Sequence, residues 1–139
     1  MLLDSINYLA VLVAAIAAFG VGAVWYGVLF SKKWMAAVGK PQAELGKPLP
    51  SMVTTLICYL LMAFMSAVVH IWVGVTSPGQ GITVAIFLWA GFAISSIAPG
   101  IMFTGSSRKL LWLDGGHLLF SLIVIGAILG AWRIAPPPL

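Results

Sequence analysis

From Ile6 to Phe30 the chain runs 25 residues without a charged side chain. At about 1.5 Å of rise per residue, a helix of that length covers a hydrocarbon core about 30 Å thick. The stretch therefore reads as a membrane-spanning helix. Its flanks give it a direction, because Asp4 precedes it and Lys32, Lys33 and Trp34 follow it. Lysines resist translocation and tryptophan settles at the headgroup level, so the C-terminal end of this span is expected on the cytoplasmic side.

The remaining sequence belongs to the same class. Hydrophobic residues make up 62% and charged residues 7%, with a mean hydropathy of +1.12, whereas soluble domains carry about 25% charge. One polytopic membrane domain over residues 1–139 is the expectation, with the lipid bilayer as its first partner. A net charge of +4 would suggest nucleic acid in a soluble protein. Here the basic residues gather in two loops between apolar runs, which is a topology signal, so no nucleic-acid partner is expected. Cys58 is the single cysteine and excludes both an intrachain disulfide and paired-thiol redox chemistry. The leader places Asp4 where a signal peptide has its basic region, and its apolar run exceeds the roughly 7 to 15 residues of a cleavable segment. Retention of Met1 is expected.

Four apolar segments can span, at about 6–30, 52–75, 82–104 and 115–131. The first connection, 31–51, carries Lys32, Lys33, Lys40 and Lys47 against Glu44, and Trp34 to Val38 reads as a short interfacial helix. Two Gly-Lys-Pro triplets, at Gly39 and Gly46, follow it. They lack the Ser or Thr that a phosphate-binding loop places after its lysine, and read as loop punctuation. The second connection is short and uncharged. The third, 105–114, holds Arg108 and Lys109. The first and third connections share one side and hold six of the seven basic residues, leaving Arg133 on the other. Both basic loops are then expected in the cytoplasm and both termini outside. Trp34 and Trp112 fall at the inner boundary and Trp72 and Trp132 at the outer one. Pro136, Pro137 and Pro138 are expected to stop the last helix near Ala135.

An internal duplication is legible in outline. A slide of about 73 positions sets Ala17, Phe19, Gly27 and Phe30 over Ala90, Phe92, Gly100 and Phe103. The expected fold is an all-α bundle of four transmembrane helices. Its two like-oriented hairpins would be related by a pseudo-two-fold axis along the membrane normal.

Small residues mark the helix-packing faces, since water cannot drive one membrane helix onto another. Ala14, Ala18 and Gly22 recur every four residues on the first span, Gly91 and Ser95 on the third, and Gly126 and Gly130 on the fourth. These either pack the four helices within one chain or form a homodimer through the fourth helix. Pro99 is expected to kink the third span, with Ser95 and Ser96 placed to satisfy the backbone groups it frees.

No Asp, Glu, Lys or Arg lies in the middle of any span, which weighs against ion-coupled pumps and cationic-drug exporters. Asp114 and His117 lie one turn apart on one face at the start of the fourth span, where the carboxylate could orient and charge the ring. His70 lies at the opposite end near the level of Asn7, so the two histidines cannot share a metal. The other Ser, Thr and Tyr residues of the spans have no base in register. No catalytic residue, metal site or cofactor is expected.

Asn7 to Ala15, Gly22 to Tyr26 and Phe30 to Met35 resemble the bacterial membrane family known as domain of unknown function 1761. Asp114-Gly115-Gly116-His117, followed by Ile125 to Trp132, resembles that family's last helix. The resemblance implies a small four-span protein of the bacterial inner membrane and brings no activity or catalytic residues. Three readings of function stay open. The first is a protein acting through packing, as a homo-oligomer or an accessory subunit of a larger membrane complex. The second is a small transporter or binder of a hydrophobic or aromatic ligand, its cavity lined by Trp25, Tyr26, Trp89, Ser95, Ser96 and the Pro99 kink. The third is a membrane enzyme using Asp114 and His117 as an acid-base pair.

Overall fold

The computed structural model describes residues 2–134, so the proline tail at 136–139 lies outside the described residues. The chain is an all-α bundle in which four helices are long and apolar enough to cross a membrane. Helix α1 (Tyr8–Val24) starts where Asn7 Oδ1 accepts the amide of Ala10 at 3.1 Å, and it continues through a π turn at Trp25–Leu29. Helix α2 (Ser31–Val38) follows and ends on Gly39 at φ +69°, a left-handed position that a side chain would strain. This short helix contains the predicted segment from Trp34 to Val38 and begins three residues before it.

Helix α3 (Pro48–Val73) opens on a proline at its first position, where the missing N–H costs nothing. The third span comprises α4 (Pro78–Leu88), a π turn at Trp89–Ala93, and α5 (Ile94–Phe103). Ser77 caps it by accepting the amide of Gln80 at 3.3 Å. Helix α6 (Lys109–Ala131) ends four residues ahead of Ala135. It also begins six residues before the apolar segment at Gly115, which places Asp114 and His117 in its second and third turns.

Helix α1 lies between α3 and α6, and α4 covers another face of α6. The α1 stripe of Ala10, Ala14 and Ala18 is fully buried against Ala63 and Ala67 of α3 and Ile125 and Leu129 of α6. Small side chains let these backbones approach, and close packing replaces the solvent-driven contact of a soluble bundle. Gly126 meets Gly81 of α4 backbone to backbone, and a Cβ on Gly130 would stand 2.5 Å from Ser77 O. The small-residue face of the fourth span is thus filled by α4 within one chain. Gly91 and Ser95 correct the expectation for the third span. Both are exposed, and a Cβ on Gly91 would meet nothing within 4 Å.

The serines near Pro99 also bond elsewhere than expected. Ser95 Oγ donates to Gly91 O at 2.6 Å and Ser96 Oγ to Ala93 O at 2.9 Å, serving carbonyls of the π turn instead of the one Pro99 frees. A π turn loosens the regular ladder, and hydroxyls one turn on can satisfy what it leaves. The two π turns begin 64 positions apart (89 − 25), whereas the sequence slide is 73. Contact between α1 and α6 is broad, but that between α3 and the third span is slight.

Candidate functional site

Both π turns begin on a tryptophan, and both tryptophans reach α6. Trp25 Nε1 donates to Leu113 O at 3.0 Å, and Trp89 Nε1 donates to Gly115 O at 2.7 Å. The wider turn, in which the Phe30 amide bonds back to Trp25 O, lets the adjacent residue Tyr26 face α6 as well. Its hydroxyl donates to Asp114 Oδ1 at 2.6 Å. Two glycines make the approach possible. A Cβ on Gly116 would stand 3.1 Å from the Trp25 ring, and one on Gly115 would stand 2.6 Å from Ile94 Cδ1.

One turn deeper, His117 is buried at 8% exposure against Tyr59 of α3 and Ser121. Its Nε2 lies 2.6 Å from Tyr59 Oη and 3.3 Å from Ser121 Oγ. A single ring nitrogen offers one lone pair or one N–H, so two hydroxyls cannot both spend their full capacity on it. The Tyr26 ring packs on the His117 ring with centroids 4.8 Å apart, and Trp34 of α2 meets Tyr26 edge-on at 5.7 Å. Gly22 makes room for this cluster: a Cβ there would sit 3.1 Å from His117 Nε2 and 3.5 Å from Tyr59 Oη. Asp114 thus pairs with Tyr26 and His117 with Tyr59, instead of the two pairing with each other along the helix.

These groups face a cleft of about 700 Å³ at the lysine-rich end of the bundle. Polar atoms of Tyr26, Tyr59, Asp114 and His117 occupy its inner wall, while Phe19, Trp34, Met35, Leu45 and Met52 supply apolar surface. Of the residues the sequence nominated for ligand binding, Tyr26, Asp114 and His117 come together here. Trp25 and Trp89 bond to α6 carbonyls and do not line the cleft, and Ser95, Ser96 and Pro99 are exposed and do not line it either. Tyr59 and Ser121 were missed. The available signals were faint: Tyr59 is the one tyrosine of α3, and Ser121 stands four residues after His117. The i to i+4 spacing puts Ser121 in register with His117, while the pairing of His117 with the Tyr59 hydroxyl is made only by the fold.

The other histidine is isolated from this cluster. His70 is 4% exposed, and among the described residues neither ring nitrogen has a hydrogen-bond partner. It lines a cavity of about 30 Å³ with Asn7 and Arg133 at the opposite end. Among the described residues, no three His, Cys, Asp or Glu side chains gather as a metal site.

Replacing Trp25 by Phe keeps the ring contacts and removes one donor. The expected cost is about 1 kcal/mol, within the range for hydrogen bonds between membrane helices, read as a lower midpoint in unfolding by sodium dodecyl sulfate.

The fold and cleft define a small multi-pass helical membrane protein with a polar pocket at one end. The chain matches the family described as Protein of unknown function (DUF1761) over residues 9–130, and it belongs to that family. No curated protein and no solved structure matches it.

Proposed function

We propose that the cleft binds a small aromatic or otherwise apolar molecule whose polar head bonds to the Tyr59–His117 pair and to Asp114. The observation that carries this reading is a buried imidazole, two phenols and a carboxylate gathered in one cleft with apolar side chains, while the other polar lining residues, Ser31, Gln42, Ser51 and Thr55, are exposed. Polar groups inside a membrane bundle are costly to keep and commonly mark a ligand path. The walls accept an aromatic or hydrocarbon body, while Oδ2 of Asp114 and the spare capacity of the hydroxyls accept or donate to a head group. The same cleft serves binding as a step in transport and binding as an end in itself.

The reading includes an orientation. The lysine-rich loops lie in the cytoplasm of a cell whose inner membrane holds the protein, so the cleft opens inward and both ends of the chain lie outside. Purification in mild detergent, followed by mass spectrometry of extracted small molecules, tests the ligand. A defined compound should accompany the wild type and be lost from Tyr59→Phe and His117→Ala. An identical small-molecule complement in all three proteins contradicts the reading and favours a packing role, as a homo-oligomer or accessory subunit.

A further inference from the structure

A second cleft, of about 510 Å³, lies between α2 and the start of α6. Helix α2 divides it from the first: Trp34 and Met35 face the Tyr26 side, while Lys33, Ala36 and Ala37 face this one. Its floor is apolar, formed by Phe30, Ala37 and Leu113, and Lys33 and Lys109 stand on its rim with Ser107. The described residues lining it include no acid. Lys33 Nζ lies over the Phe30 ring, 5.7 Å from its centroid, a cation–π contact between a cation and an apolar residue that both line the cleft. Trp112, 80% exposed, closes one side.

We propose that this cleft holds the headgroup of an anionic phospholipid. Two lysines on a rim without acids complement a phosphodiester. The apolar floor and exposed indole receive the first carbons of the acyl chains, as in basic pockets between membrane helices. A free phosphate would use the lysines and leave the apolar floor bare, so the lipid is the occupant that matches both halves of the cleft. The site is separate from the Tyr59–His117 cleft and does not depend on what that cleft binds.

The full-length protein is reconstituted in vesicles of equal phosphatidylglycerol and phosphatidylcholine, released into mild detergent, and its retained lipids are counted by native mass spectrometry. Wild-type protein should retain phosphatidylglycerol above the bulk ratio. Lys33→Gln and Lys109→Gln should each lower that enrichment by about fivefold. Both lysines are exposed, so folding should not suffer. A Lys40→Gln/Lys47→Gln control, which removes the same two charges as Lys33→Gln/Lys109→Gln but outside the cleft, should retain the wild-type enrichment. Retention at the bulk ratio in the wild type, unchanged enrichment in Lys33→Gln/Lys109→Gln, or an equal loss in the control would overturn the assignment. Displacement of the retained lipid by inorganic phosphate would also overturn it.

Discussion

Gly81→Ala should destabilise the bundle by about 3 kcal/mol, the upper part of the overpacking range. A methyl group there would run into Gly126 O, with Gly126 C at 2.8 Å and His70 Cε1 at 3.1 Å. Two of these obstacles are backbone atoms of α6, which cannot rotate away as a side-chain tip can. Relief requires α4 and α6 to separate, and that loosens the contacts around Ala85 and Gly130 as well. Gly20→Ala is the matched control. A Cβ there meets nothing within 4 Å, so the same change should be neutral or add about 0.5–1 kcal/mol through helix propensity. Denaturation midpoints of the three proteins in sodium dodecyl sulfate measure both effects. Equal midpoints for Gly81→Ala and wild type would mean that α4 and α6 do not cross at these glycines.

Gly22→Leu should abolish binding in the Tyr59–His117 cleft while leaving every polar group of its wall in the chain. The first added carbon would already stand 3.1 Å from His117 Nε2, and the remaining three must extend into space that a ligand head would use. Gly22→Ala should weaken retention to an intermediate degree, because the imidazole can yield by a few tenths of an ångström. The ligand recovered per protein, measured by mass spectrometry, should fall in the order wild type, Gly22→Ala, Gly22→Leu. Equal recovery from all three would remove Gly22 from the site and contradict the proposed pose.

The spans were legible because lipid imposes one coarse rule: a long stretch without charge stays in the membrane. The Ala14–Ala18–Gly22 stripe was legible for a related reason, since close approach needs small residues at helical spacing. Gly91 and Ser95 satisfy that same rule and yet face outward, because spacing alone does not say which side of an apolar helix meets protein. The π turns at Trp25 and Trp89 carry no local sequence signature. They follow from tertiary bonds to Leu113 O and Gly115 O, which can be read only once α6 is in place. Tyr59 was hidden for the same reason, its partner His117 lying 58 residues away. The Asp114-Gly115-Gly116-His117 run was visible as a polar and glycine-rich break. Its meaning, two glycines admitting Trp25 and Ile94 while the flanking polar groups face the cleft, required the neighbours.

In the proposed orientation the Tyr59–His117 cleft opens on the lysine-rich side and that side faces the cytoplasm. Thr55 lines the cleft and is exposed, and Cys58, the native thiol, can be replaced by Ser. A Cys58→Ser/Thr55→Cys protein is treated with a membrane-impermeant maleimide, once in intact cells and once in inverted membrane vesicles. Labelling confined to inverted vesicles is the predicted result, and labelling of intact cells from the external medium would contradict it.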